Sequence, residues 1–208
     1  MAGWRLHSGG AVAVAQDGID TDQLIPARFM ATPRSEGYGQ FLLHDHRFDG
    51  HGRAIPDHPL NRFPGTSVLV VKRNFGGGSS REAAVYALWD YGIRAVIGPS
   101  FGDIFAANAV NNGLLPARVS HADSSLLLAA LGGQTGVATI DLEQSSIELA
   151  GLTVPFTLDP VWRTKLINGW DDIDLTTKLA DAISTFRQQD RLIRPWASLS
   201  FGGKDVQS

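Results

Sequence analysis

The chain has 208 residues, 43% of them hydrophobic and 19% charged, and 18 basic against 21 acidic side chains leave a net charge of −3. That is enough apolar material for a real core, and it excludes a disordered or collagen-like chain. The lack of a basic excess argues against a nucleic-acid-binding module. The sequence contains no cysteine, so neither disulfides nor an iron–sulfur cluster ligated by this chain is possible. The longest apolar stretches, Ser67–Val71 and Leu126–Leu131, fall far short of the ~20 residues that cross a bilayer. Met1–Arg5 has no basic region leading into an apolar one. A cytoplasmic protein without membrane attachment is expected.

In chain order, Ala11–Ala15 reads as a short strand, followed by a polar loop over Gln16–Gln23. Ala31–Pro64 is rich in Gly, Pro, His, Asp and Arg with weak periodicity, which predicts mostly loop. Ser67–Val71 is an apolar, β-branched run and hence a buried strand. Asn74–Gly78 is a glycine loop, after which a helix opens at Ser79–Glu82 and runs to about Tyr91, stopped by Gly92. Arg94–Ile97 is the next strand, completing a βαβ unit with a parallel crossover. A helix over about Asp103–Asn112 precedes a strand starting at Leu114. Gly136–Leu142 and Ser146–Leu149 form a hairpin, and Leu152–Leu158 is a further strand. Helices over Pro160–Leu166 and about Thr176–Arg187 close the chain, with no internal repeat. Together these elements predict an α/β fold organised as a single domain over 1–208. A mobile loop is expected at about 30–41 and a C-terminal helical extension at about 160–208.

Three segments could carry chemistry. Asn74–Glu82 places three glycines between a strand and a helix, which lets backbone approach a ligand closely. The helix start offers N–H groups and the positive end of its dipole, Ser79 or Ser80 is a natural N-cap, and Arg81 adds a bidentate fork. The Gly-Lys-Ser/Thr ending of a P-loop is absent. An anion site and a merely capped helix with a solvated arginine both fit this spacing. Asp20-Thr21-Asp22-Gln23 could bind a cation or orient an arginine, or could be a polar turn. His44, Asp45, His46, Asp49, His51, Asp57 and His58 are dense enough to invite a metal, but their spacing fits a solvated loop better. No metal ligands are assigned to this chain.

Asn74–Glu82 resembles the Asn-Phe-Gly-Cys-Gly-Ser-Ser-Arg-Glu signature of the 3-isopropylmalate dehydratase small subunits, relatives of the aconitase swivelling domain. Asp20–Phe29 is similar to that family's Asp-Thr-Asp-x-Ile-Ile-Pro block, and Arg34–Gly39 to its Arg-Thr-Gly-Phe loop. Pro99–Phe105, Asn111–Pro116 and Asn168–Thr176 match further blocks in the same order, so the likeness covers nearly the whole chain. The resemblance implies a swivelling β/β/α domain and a large partner subunit that carries a [4Fe-4S] cluster on its own cysteines. It also implies a hydro-lyase interconverting 2-isopropylmalate and 3-isopropylmalate in leucine biosynthesis. By motif position, Ser79 would be the base that takes the Cα proton. Ser80, Arg81 and, from the loop, Arg34 would bind substrate carboxylate, while Thr21, Asp22 and Gly78 would line or brace the pocket.

The match is not complete. Gly77 stands where the family has cysteine, and Ala83-Ala84 replace its His-Ala. In the arginine loop Pro33 precedes Arg34 and Glu36 is inserted, and His46-Arg47 stands for the usual Trp-Arg. The altered loop leaves related substrates open (citraconate, dimethylmaleate or a methylcitrate-like acid). The changed Cys and His positions leave open a non-catalytic anion-binding paralogue.

Overall fold

The computed structural model describes residues 2–178 and 180–197. The chain divides into two compact units, residues 1–171 and residues 172–208. The first unit is built on seven strands: β1 (Leu6–Val14), β2 (Val68–Val71), β3 (Ala95–Gly98), β4 (Leu115–Arg118), β5 (Thr135–Asp141), β6 (Ser146–Leu149) and β7 (Leu152–Pro155). They form one sheet in the order β4-β3-β2-β1-β5-β6-β7. Its helices are α1 (Thr21–Leu24), α2 (His44–Arg47), α3 (Pro59–Arg62), α4 (Glu82–Tyr91), α5 (Asp103–Asn111), α6 (His121–Leu131) and α7 (Pro160–Asn168).

Strand direction follows connection length. β1 to β4 are parallel, each joined to the next by a long crossover, whereas β5, β6 and β7 are antiparallel and joined by tight turns. β1 is the seam, with Ala11–Val14 paired parallel to β2 and Leu6–Val12 antiparallel to β5. The strand expected at Ala11–Ala15 therefore begins five residues earlier, at Leu6, because its first half is defined by β5, some 130 residues downstream. Gly9 and Gly10 lie inside it. At the far edges, Arg118 bridges antiparallel to Thr157, so the sheet curls back on itself.

β2 and β3 are buried at every position, as strands covered on both faces must be. Leu69, Val71 and Val96 pack with Ala84, Ala87, Leu88 and Phe105 of α4 and α5. Val68, Val70, Ala95 and Ile97 pack on the opposite face with Leu127 and Leu131 of α6. The expected βαβ unit is β2–α4–β3. Gly92 ends α4 in a left-handed cap (φ 110°), its N–H bonding back to Leu88 and Trp89.

One local reading is corrected. α6 fills the stretch that the sequence reading left between strands, and its start is marked by a reciprocal cap. The Ser120 hydroxyl accepts from the Asp123 N–H (3.0 Å) and donates to the Asp123 carboxylate (2.7 Å). Residues 31–64 are mostly loop, as expected, interrupted by short helical turns at Arg34–Glu36, Gly39–Phe41, α2 and α3 and pinned by the buried Leu42, Leu43 and Leu60. The helical region expected from about 160 divides, since α7 belongs to the first unit. The second unit holds α8 (Asp172–Lys178) and α9 (Ala180–Ile193), with one 3-10 turn at Pro195–Ala197. The remainder of the expected extension, 198–208, lies outside the described residues.

Candidate active site

The glycine loop follows β2 at the carboxyl end of the parallel strands, where open α/β sheets gather ligands. Two other chain segments hold it in place. On one side the Gly76 N–H donates to the Ile19 carbonyl (2.7 Å), the Thr21 N–H donates to Gly77 (3.0 Å), and Asp20 bridges parallel to Gly77. On the other, the Phe75 N–H donates to the Ser100 carbonyl (3.2 Å), and the Gly102 N–H to that of Phe75 (2.9 Å). The loop is therefore a short strand-like insert between two segments remote from it in sequence. Gly76 (φ 70°) is packed so closely that a Cβ there would lie 2.2 Å from Cγ of Phe105.

The Asp20–Gln23 motif divides its work. The Asp20 carboxylate caps α1 by accepting from the Gln23 N–H (2.8 Å). Thr21 is buried, and its hydroxyl donates to the Ser79 carbonyl (3.0 Å), fixing the peptide that carries that serine. Asp22 forms a salt bridge with Arg81, which orients the guanidinium at the start of α4. Gly78 sits beside Asp20 and Thr21 with φ 91°.

Neither serine caps the helix. The N-cap position of α4 is Arg81, in extended conformation, and no side chain caps it, so the helix begins at Glu82. The reason is tertiary: Thr21 and the Arg81 N–H both bond to the Ser79 carbonyl, holding the serines in a turn ahead of the helix. Ser79 and Ser80 are consequently exposed next to a helix N-terminus without a side-chain cap and next to Arg81. Such an end carries roughly half a positive charge and favours an anionic group. Gly77 places its backbone against Asn74, and a Cβ there would stand 3.0 Å from Asn74 Oδ1.

Arg34 is not brought to this loop. Its Nη1 and Nη2 donate to the two carboxylate oxygens of Asp90 (2.6 and 2.9 Å), and its guanidinium lies 4.4 Å from the Tyr86 ring centre. Sequence reasoning did not single out Asp90. Its spacing of i, i+4, i+8 with Glu82 and Tyr86 on α4 marks it as part of one helix stripe.

The His/Asp scatter gathers no metal site, and among the described residues no group of three His, Cys, Asp or Glu could hold a metal ion. Two of its carboxylates, Asp45 and Asp49, serve arginines instead. Arg28, with His44, holds the Asp45 carboxyl down at about 2, and Asp49 accepts from the Arg53 side chain and from backbone N–H groups. Burial pushes the His58 imidazole down to about 4, assisted by the Arg47 and His46 charges, while its Nδ1 accepts the Leu60 N–H at the start of α3 (3.2 Å). The unfolded chain takes up this proton near pH 6.5 and the folded chain only near 4, so stability is lost as pH falls through that window. A shift of this size corresponds to about 3 kcal/mol, which solvent access to the half-buried ring reduces to about 1 kcal/mol. His58→Asn keeps a capping acceptor, and denaturant unfolding at pH 7 and pH 4.5 is expected to show that share of the pH dependence removed.

This fold, with its glycine loop at the sheet end, defines a class. Residues 3–122 match the aconitase C-terminal domain. The 3-isopropylmalate dehydratase small subunit of Bacillus subtilis is 41% identical over 188 residues, covering 89% of this chain and 94% of that protein. That of Shouchella clausii is 40% identical over 191 residues, covering 91% and 97%. The crystal structure of 3-isopropylmalate dehydratase (LeuD) of Methanocaldococcus jannaschii superimposes with a TM-score of 0.64 at 26% identity, over 86% of this chain and 98% of that one. The chain belongs to the family of 3-isopropylmalate dehydratase small subunits.

Among the described residues, no helix is long and apolar enough to cross a membrane.

Proposed function

We propose that this chain is the small subunit of a cytoplasmic two-subunit hydro-lyase that interconverts 2-isopropylmalate and 3-isopropylmalate. Its partner is a large subunit bearing a [4Fe-4S] cluster. The observation that carries the reading is the exposed pair Ser79-Ser80 followed by the half-buried Arg81 at the α4 N-terminus, which has no side-chain cap. With no cysteine in the sequence, the thiolates for a cluster must come from the partner. When bound there, the cluster supplies a Lewis acid for the departing hydroxyl.

The chain's own share is proton transfer and anion binding. Ser79 takes the Cα proton, and the helix end with Arg81 stabilises the negative charge that develops on its oxygen. The Ser80 hydroxyl, the Gly78 backbone and Arg81 hold one carboxylate of the substrate. Asp22 aligns Arg81, and Thr21 fixes the Ser79 peptide without touching substrate. Rehydration returns the proton from Ser79 to the adjacent carbon, so the serine ends the cycle as it began.

Reconstitution tests this. Isomerisation, followed by the absorbance of the unsaturated intermediate, is expected only when this chain is combined with a cluster-loaded large subunit. Turnover by this chain alone, with metals chelated, overturns it.

A further inference from the structure

Asp90, in the last turn of α4, makes three hydrogen bonds to the loop that crosses the helix. Two come from the Arg34 guanidinium, at 2.6 and 2.9 Å, and the third from the Tyr38 N–H at 2.7 Å. The Asp90 side chain is only 16% exposed, against 44% for Arg34, so the carboxylate is the fixed half of the pair. Gly39 lets the loop backbone lie directly on the helix, since a Cβ there would meet the Tyr91 nitrogen at 2.6 Å. Tyr38 is buried, and its hydroxyl ties back to the Thr32 carbonyl (3.0 Å). Asp90 is thus the anchor of the loop over 32–39.

The pairing is the one a substrate carboxylate would make. A guanidinium bound end-on to both oxygens of one carboxylate has given that bidentate edge to it and cannot offer the same edge to a second carboxylate. Asp90 is eight residues beyond Glu82, about 12 Å along the helix, so a small dicarboxylate held at Ser79–Arg81 does not reach Arg34 where it rests. For Arg34 to clamp substrate, the pair must open.

We propose that Asp90 is a positioning residue that competes with the substrate carboxylate for Arg34, so that opening of the Arg34–Asp90 pair sets substrate affinity. The proposal rests on the isopropylmalate reading above and on the carboxylate contact that the family resemblance implies for Arg34. Asp90→Asn is the informative change. It keeps the shape and an acceptor for the Tyr38 N–H but turns an N–H₂ group toward the guanidinium.

Two measurements separate the possible failures. In the purified full chain, trypsin cleavage after Arg34, identified by mass, is expected to be about tenfold faster in Asp90→Asn, with Tm unchanged outside the loop's own contribution. In the reconstituted complex, Asp90→Asn is expected to lower KM several-fold and Arg34→Lys to raise it about tenfold, while the double variant behaves as Arg34→Lys alone. Unchanged cleavage in Asp90→Asn overturns the latch whatever the reaction proves to be. A KM raised by Asp90→Asn as much as by Arg34→Lys also overturns it, because Asp90 would then hold Arg34 in its working position. Arg34→Lys kinetics equal to wild type count against the assigned substrate contact and so against the competition, whereas a wild-type complex inactive on isopropylmalate counts against the assigned reaction. In that last case the cleavage rates still decide the latch.

Discussion

Ser79→Ala is expected to lower kcat of the reconstituted complex by ~10²–10⁴-fold or more while the chain folds and binds its partner as before, because it removes a proton-transfer group. The geometry sharpens the expectation. Were Ser79 the N-cap of α4, its loss would cost ~1 kcal/mol of stability. The cap position is Arg81, and Ser79 is exposed, so thermal unfolding of the variant is expected to match wild type. Steady-state kinetics and a melting curve on one preparation check both halves. A variant that keeps most of its activity places the base elsewhere. Ser80→Ala is the natural control, expected to act on KM through a lost carboxylate contact.

Gly76→Ala is expected to have the largest effect on stability. Its φ of 70° costs an L-residue ~1–2 kcal/mol, and its new Cβ would sit 2.2 Å from Phe105, inside the aromatic cluster of Phe75, Phe101 and Phe105. Forcing that ring aside adds ~1–3 kcal/mol of overpacking. The sum, about 3 kcal/mol, corresponds to about 10 °C in Tm for a chain of this size. Gly18→Ala isolates the backbone part, since Gly18 has a similar φ of 65° and nothing within 4 Å of its Cβ position. Its expected loss is about 1 kcal/mol. Equal melting temperatures for the two variants would show that the Phe105 contact relaxes freely.

Much of this protein was determined by local pattern. The apolar runs of β2 and β3 are long enough to be strands and too uniformly apolar to have a wet face, and both are buried throughout. Gly92 and Gly169 end α4 and α7 because a left-handed cap is a property of one residue. The β5–β6 hairpin, the glycine loop and the absence of cysteine are likewise written in single segments, and the ordered motif blocks were enough to indicate the family. The start of α6 is also written locally, in the Ser120–Asp123 cap.

Tertiary structure decided the rest, because a residue's partner is not encoded in its neighbours. Leu6–Gly10 is strand only because β5 runs beside it. Nothing near Thr21 says that its hydroxyl will fix the Ser79 peptide, 58 residues away, or that this contact will delay the helix to Glu82 and leave both serines outside its cap. Asp22 and Arg81 could each have been solvated, and Arg34 could have faced the serine loop. Which carboxylate each arginine holds depends on where α1, α4 and the loop over 32–39 come to rest, and only packing on the shared sheet sets those positions.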